Sequence, residues 1–213
     1  MVMRLPDTEH AAHSWRIHEV VPDFVLEDVW ELPAVGGREE LPLLVSTMVA
    51  GTFPANAPLA VRFLWEFREQ LGRLLGWDAP AHGLGAGATS LRERLPADLR
   101  GTASEPGRDA LFHPLYQLAD EWAGEIANRT VHAVMHLGWV AEGGGRFRGR
   151  MAVLVRPNGR LGTAYMAAIR PFRLFLVYPA LLRGVERDWQ AARRGGIHEH
   201  GGAPGSTAQH PRT

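Results

Sequence analysis

The 213-residue chain contains neither cysteine nor lysine, and arginine supplies all 23 of its basic residues. Without cysteine there is no disulfide, no thiolate nucleophile, no iron–sulfur cluster and no cysteine zinc site. That absence agrees with a reducing compartment, and a cytoplasmic location is expected. Without lysine there is no Schiff-base amine, no lysine general base and no P-loop cation. An excess of charge of one sign is lacking too, since 23 acidic residues balance the 23 basic ones. Nothing therefore draws the chain as a whole to nucleic acid or anionic lipid, and no nucleic-acid partner is expected. The opening MVMRLPDTEH has no apolar h-region, so no secretory signal is expected either.

Hydrophobic residues make up 46% and charged residues 22%, the balance of a soluble domain with a sizeable core. Residues 1–12 read as irregular, 13–192 as one domain, and 193–213 (RRGGIHEHGGAPGSTAQHPRT) as a low-complexity, disordered tail. Within HSWRIHEVVPDFVLEDVWELP an extended segment breaks near Pro22. Period-two alternation then puts Phe24, Leu26, Asp28, Trp30 and Leu32 on one inward face. REELPLLVSTMVA reads as a short helix with acidic residues in its first turn. A second helix starts at Pro58 and ends at Gly76, with Leu59, Phe63, Phe67, Leu71 and Leu74 on one stripe. Residues 79–110 are rich in Gly, Ala, Pro and Ser, with a helical turn or two at SLRERLPADL; such a segment is a lid, a binding loop or a disordered excursion.

LFHPLYQLA reads as a strand and DEWAGEIAN as a short helix. RTVHAVMHLGWVAEGGGRFRGRMAVLVRP reads as a hairpin turning at Gly143-Gly144-Gly145. One face carries Val131, Ala133, Met135, Leu137 and Trp139 from the first arm, with Phe147, Met151, Val153 and Val155 from the second. The last long apolar stretch, 159–182, is long enough to span a bilayer but carries Arg170 and Arg173 centrally. Each such arginine costs about 2.5–3.5 kcal/mol on insertion. Pro171 and Pro179 also leave the carbonyls of Ala167 and Phe175 without an intrahelical donor. No transmembrane segment is expected, but a kinked C-terminal helix with its arginines turned to water or a carboxylate.

Three motifs weaken under their context. Gly83–Ala88 matches G-x-G-x-x-G/A, but WDAPAH before it is no strand and Pro96 interrupts the residues after it, so a flexible loop is favoured over a nucleotide cradle. His132 and His136 have the i, i+4 spacing of helical zinc ligands, but on a strand four residues span roughly 13 Å, too far for one ion. They are expected on the outer face of the sheet, and no metal or cofactor is expected. Asp28 is the candidate catalytic carboxylate. On an apolar face it must be paired, hydrogen-bonded or neutral, and a pair with an arginine, or a strand edge where it meets water, is the simpler reading. Trp30, Met135, Trp139, Met151, Tyr165 and Phe172 are the candidate lining of a ligand site, residues that equally serve ordinary core packing.

PDFVLEDVWELP, DEWAGEIANRTVHAVMHLGWV and MAVLVRPNGRLGTAYMAAIRPFRLFLVYPALL together resemble bacterial proteins of the domain of unknown function 2867 family, over roughly residues 13–190. The resemblance implies an α+β fold of the START-like, helix-grip kind: a curved antiparallel sheet around a long kinked C-terminal helix. It implies an apolar cavity between the two and carries over no catalytic residue; the apolar hairpin faces meeting a helix with Tyr165, Phe172 and Phe175 make a small apolar or amphipathic ligand there the leading expectation. In relatives a similar segment ends domains joined to NAD(P)-binding Rossmann modules, so the resemblance also implies a functional link to an NAD(P)-dependent oxidoreductase as partner. Two alternatives stay open: a cyclase, hydratase or isomerase on the same fold, using Asp28 with Tyr165 or an arginine, and a membrane-surface or partner-binding protein using 159–182.

Overall fold

The computed structural model describes residues 3–49, 89–105, 111–127 and 131–200, of which 161 and 195–200 are described by backbone only. The helix expected from Pro58 to Gly76 and the Gly83–Ala88 motif lie outside the described residues. Six antiparallel strands form one sheet in the order β1-β2-β6-β5-β4-β3. They are β1 (Arg4–Leu5), β2 (Val25–Gly36), β3 (His113–Gln117), β4 (Glu121–Ala127), β5 (Val131–Gly143) and β6 (Arg146–Pro157). Among the described residues the α-helices are α1 (Asp7–Ala11), α2 (Ile17–Val20), α3 (Leu41–Val49), α4 (Gly159–Phe172) and α5 (Tyr178–His200). The fold is thus α+β, a six-stranded antiparallel sheet packed against a long C-terminal helix.

The β5–β6 hairpin forms where alternation and the glycine triplet place it, with Gly143, Gly144 and Gly145 all at positive φ (90°, 59° and 74°). One expectation fails beside it: the segment expected to be a short helix, DEWAGEIAN, forms strand β4. β4 lies between β3 and β5, and all its residues but Ile126 are buried. Burial of both faces erases the alternation by which a strand is recognised. The first twelve residues, expected to be irregular, supply β1 and α1. The chain stays helical past Arg193 to His200.

The sheet has a core on each side. On one, Trp30, Leu32, Met135, Leu137, Trp139 and Met151 meet Leu41 and Leu44 of α3 and Tyr178, Leu182, Val185 and Trp189 of α5. Those four α5 positions recur at helical spacing, so a single stripe docks the helix. On the other side Ala123, Val134, Ala152 and Leu154 meet Trp15, Ile17, Val20 and Leu91. Gly138 lies against this second layer, where a Cβ would come within 2.8 Å of the Trp15 ring. The face expected to be outer is therefore buried.

A bulge sorts β2 between the two cores. Leu26 pairs with Leu154 and Asp28 with Val153, which leaves Glu27 as the extra residue. Leu26 and Phe24 consequently pack with the second core, while Asp28, Trp30 and Leu32 face the C-terminal helix. The single inward face expected for all five residues is split there.

Between Pro171 and Pro179 the C-terminal helix widens into one π-turn, Arg173–Val177, where Tyr178 donates its N–H to the Arg173 carbonyl. The two prolines flank this turn and each removes a backbone donor, and the wider hydrogen bond absorbs the mismatch. α4 is mostly exposed; of its described residues only Gly162 and Met166 are buried. The buried stripe that packs on the sheet lies on α5 and does not run the length of the apolar stretch.

Candidate functional site

The β2 bulge delivers Asp28, which has no solvent exposure, to the junction of sheet and helix. Its Oδ2 accepts a hydrogen bond from the Tyr178 hydroxyl at 2.9 Å and lies 3.1 Å from the Arg173 guanidinium. Its Oδ1 lies 3.4 Å from Arg4 Nε. Arg173 also donates to Glu27 Oε2 at 2.8 Å. Of the two simpler expectations for Asp28, the arginine pair is found, and the water-exposed strand edge is not, because the side chain is fully buried. Burial pushes the Asp28 carboxyl above its ordinary value, and that effect outweighs the opposing pull of Arg173, Tyr178 and Arg4. Burial works against the charge on Arg173 too, but the hydrogen bond to Glu27 and the facing Tyr178 and Asp28 prevail and raise it. Burial, with Asp28 beside it, likewise raises the Tyr178 hydroxyl.

Within this cluster Asp28 Oδ1, Trp30 Nε1 and Arg173 Nε are buried without a hydrogen-bond partner among the described residues, Asp28 Oδ1 having only the longer ion-pair contact with Arg4. The Trp30 ring centroid lies 4.8 Å from that of Tyr178, and Tyr178 in turn bonds to Asp28, so the three orphaned atoms belong to one neighbourhood. Of the six expected lining residues, Trp30, Met135, Trp139 and Met151 share the core that faces α5. Met151 stands opposite both Trp30 and Leu137 in the sheet. Trp139 is already engaged: its indole N–H donates to the Gly37 carbonyl at 2.9 Å. Tyr165 and Phe172 lie outside this core, half-buried and 43% exposed respectively. α4 turns its other side inward at Gly162 and Met166, and Tyr178, just past the π-turn, stands where Tyr165 is expected to act.

The opposite face of the sheet holds a second ionisable cluster, built on the two carboxylates of β4. Glu121 accepts hydrogen bonds from the Arg16 backbone N–H (2.9 Å), the Tyr116 hydroxyl (3.1 Å) and His136 Nε2 (3.0 Å). A carboxylate only accepts, so His136 Nε2 carries a proton. In the neutral ring, Nδ1 then accepts from His10 Nε2 at 3.1 Å, and His10 Nδ1 accepts from His18 Nε2 at 3.1 Å. Four residues along, Glu125 accepts from His132 (2.8 Å), the Ser90 hydroxyl (2.6 Å) and the Leu91 backbone N–H (3.0 Å). His132 and His136 are accordingly buried and not on an outer surface. The apolar–polar alternation of β5 reports a polar face, and α1, α2 and the Leu91 turn cover it. A helical reading of DEWAGEIAN conceals Glu121 and Glu125. The signal that could reveal them is the matched spacing of four in Glu121/Glu125 and His132/His136 on neighbouring segments.

Burial alone would raise both carboxyls, but the hydrogen bonds they receive, foremost from His136 to Glu121 and from His132 to Glu125, hold both below the usual range. Burial, reinforced by the neighbouring imidazoles of His136, His18 and His13, lowers His10 from 6.5 to about 3. The unfolded chain therefore takes up a proton on His10 near pH 6.5 while the folded chain does not. Stability from His10 is complete above pH 6.5 and is lost as the pH falls toward 3, at a slope of up to about 1.4 kcal/mol per pH unit. The lowered His18 adds the same sign, and the two carboxylates add theirs below about 4.5. Urea unfolding between pH 7 and 5 is expected to show falling stability that His10→Gln makes flatter. An unchanged slope in that variant would show that His10 is not buried neutral. Among the described residues no group of three or more His, Cys, Asp or Glu side chains is disposed to hold a metal ion.

Fold and site together define an α+β protein whose antiparallel sheet buries ionisable groups on both faces, with a long C-terminal helix over one. The chain belongs to the family described as protein of unknown function (DUF2867), whose family model matches residues 20–180. Comparison with curated proteins and with solved structures gives no match.

Proposed function

We propose that the protein binds a small amphipathic molecule between its sheet and its C-terminal helix, in the manner of a helix-grip, START-like fold. The observation that carries this reading is the trio of buried polar atoms that make no hydrogen bond with the described residues, Asp28 Oδ1, Trp30 Nε1 and Arg173 Nε, beside the apolar Met135–Met151 surface. A buried donor or acceptor without a partner costs about 1–3 kcal/mol, and a ligand hydroxyl satisfies two at once by donating to Asp28 and accepting from Trp30. An apolar body then lies along the thioethers. A cytoplasmic setting and a link to an NAD(P)-dependent oxidoreductase belong to the same proposal.

Native mass spectrometry of untagged protein, followed by solvent extraction, tests it: a bound small molecule with a hydroxyl or amide group is expected. Trp30→Phe keeps an aromatic ring but removes the donor, and it is expected to weaken retention of that molecule about tenfold, one net hydrogen bond. Only unliganded mass under gentle ionisation, with no thermal shift from amphipathic alcohols, defeats the reading. One observation favours an enzymatic second reading, a cyclase, isomerase or hydratase: the buried Asp28 carboxyl is raised and accepts from the Tyr178 hydroxyl, a shifted and oriented carboxyl of the kind used as a general acid or base. Under it, Asp28→Asn abolishes turnover while the ligand is still retained.

A further inference from the structure

The C-terminal helix presents an outward ridge that neither core uses. Phe175 is 76% exposed, with Phe172 and Leu176 beside it. Ala164, Ala167, Ala168 and Pro171 continue the exposed apolar row along α4. The remaining exposed side chains described from 160 to 183 are three arginines, Arg160, Arg170 and Arg183, and Thr163. From Gly143 to Val185 there is no acidic residue. An oily ridge with cations at both ends, about 35 Å apart at helical rise, lies over a stretch of chain with no compensating negative charge.

We infer that this ridge docks the protein onto an anionic lipid surface, with the helix lying in the plane of the headgroups. Charge complementarity selects the occupant. Apolar side chains enter the acyl boundary while the arginines meet lipid phosphates, the division of labour of interfacial helices. An apolar protein groove would satisfy the phenylalanines but leave the arginine rim without partners. The helix has the length and composition to cross a bilayer, yet its inner side is already committed. Arg173 is tied to Glu27 and Asp28, and Tyr178, Leu182, Val185 and Trp189 are packed into the core. Crossing would tear these away, whereas lying flat uses only the side left outward. Docking also brings the Asp28 cluster, on the inner side of the same helix, close to the membrane.

Sedimentation of the full chain with phosphatidylglycerol–phosphatidylcholine vesicles, and separately with pure phosphatidylcholine vesicles, tests the inference. Binding is expected to the anionic vesicles and to be at least tenfold weaker on the zwitterionic ones. Phe172→Ser/Phe175→Ser is expected to lower anionic-vesicle binding at least tenfold with cooperative unfolding retained, since both side chains lie outside the two cores. Arg160→Gln/Arg183→Gln is expected to erode the anionic preference and the salt sensitivity. Failure of the folded chain to bind either vesicle overturns the inference. So does a phenylalanine double variant that binds vesicles undiminished, or one whose only change is loss of self-association, which would assign the ridge to a second copy of the chain.

Discussion

Replacing Glu121 with alanine is expected to cost about 3–5 kcal/mol of unfolding free energy, read as a fall in the urea midpoint at unchanged slope. The size reflects the donors that are stranded. The carboxylate receives the Arg16 backbone N–H, the Tyr116 hydroxyl and His136 Nε2, and its removal leaves these donors facing a void. Tyr116 and His136 are both within 1% of complete burial, so water does not replace the lost acceptor. Against a typical domain stability of about 5–15 kcal/mol this is a large fraction. Glu121→Gln is expected to cost less, because its amide oxygen still accepts while its NH2 group meets a donor it does not match. A loss under about 1 kcal/mol for the alanine variant would show that the three bonds are not formed together in solution.

Arg173→Met is the second large effect, expected at about 3 kcal/mol at neutral pH. The variant keeps the stem but leaves Glu27 without its 2.8 Å partner and Asp28, fully buried, with Arg4 alone among the described residues to balance its charge. The pH dependence has a sign that separates this account from simple loss of packing. The Asp28 carboxyl is already raised in the fold from its ordinary 3.8, so its burial is free of charge penalty below that unfolded value and grows costly as the pH rises toward the folded one. Removing the guanidinium raises it further. The cost of Arg173→Met should therefore shrink on going from pH 7 toward 4, and Asp28→Asn in the same background should recover most of it at pH 7. A cost that is flat with pH and not recovered by Asp28→Asn would assign the effect to the lost stem contacts.

Much of this site is legible in the residues alone, and the parts that are not stay hidden for definable reasons. Asp28 announces itself as the polar member of an oily alternation, because a strand with one buried face cannot hide such a residue. Its partners Arg173 and Tyr178 lie about 145–150 residues away, joined to it only by tertiary packing. The Glu27 bulge, a single-residue irregularity, moves Phe24 and Leu26 to the other face without leaving a pattern in the residue types. β4 reads as a helix because EWAGEIA has glutamates at helical spacing and a strand buried on both faces shows no alternation. The hairpin is legible because its turn demands positive φ at three consecutive positions, and only glycine meets that without strain. Tyr165 and Phe172 cannot be placed without the helix's rotation about its axis, which the stripe Tyr178, Leu182, Val185 and Trp189 sets.

The two acid–imidazole pairs of the second face have a consequence for how the chain finds its fold. Glu121 contacts His136 and Glu125 contacts His132, so both pairs join β4 to β5 on the same side of the sheet. A one-residue slip of β4 would turn both carboxylates toward the C-terminal helix and abandon both histidines on the other side. It would also push Trp122 into the layer of Trp15 and Ile17. An apolar sheet tolerates such errors at modest cost, whereas here each misaligned arrangement buries four ionisable groups without partners. The pairs thus act as a key that only one alignment of the strands fits, widening the gap between the native sheet and its near neighbours.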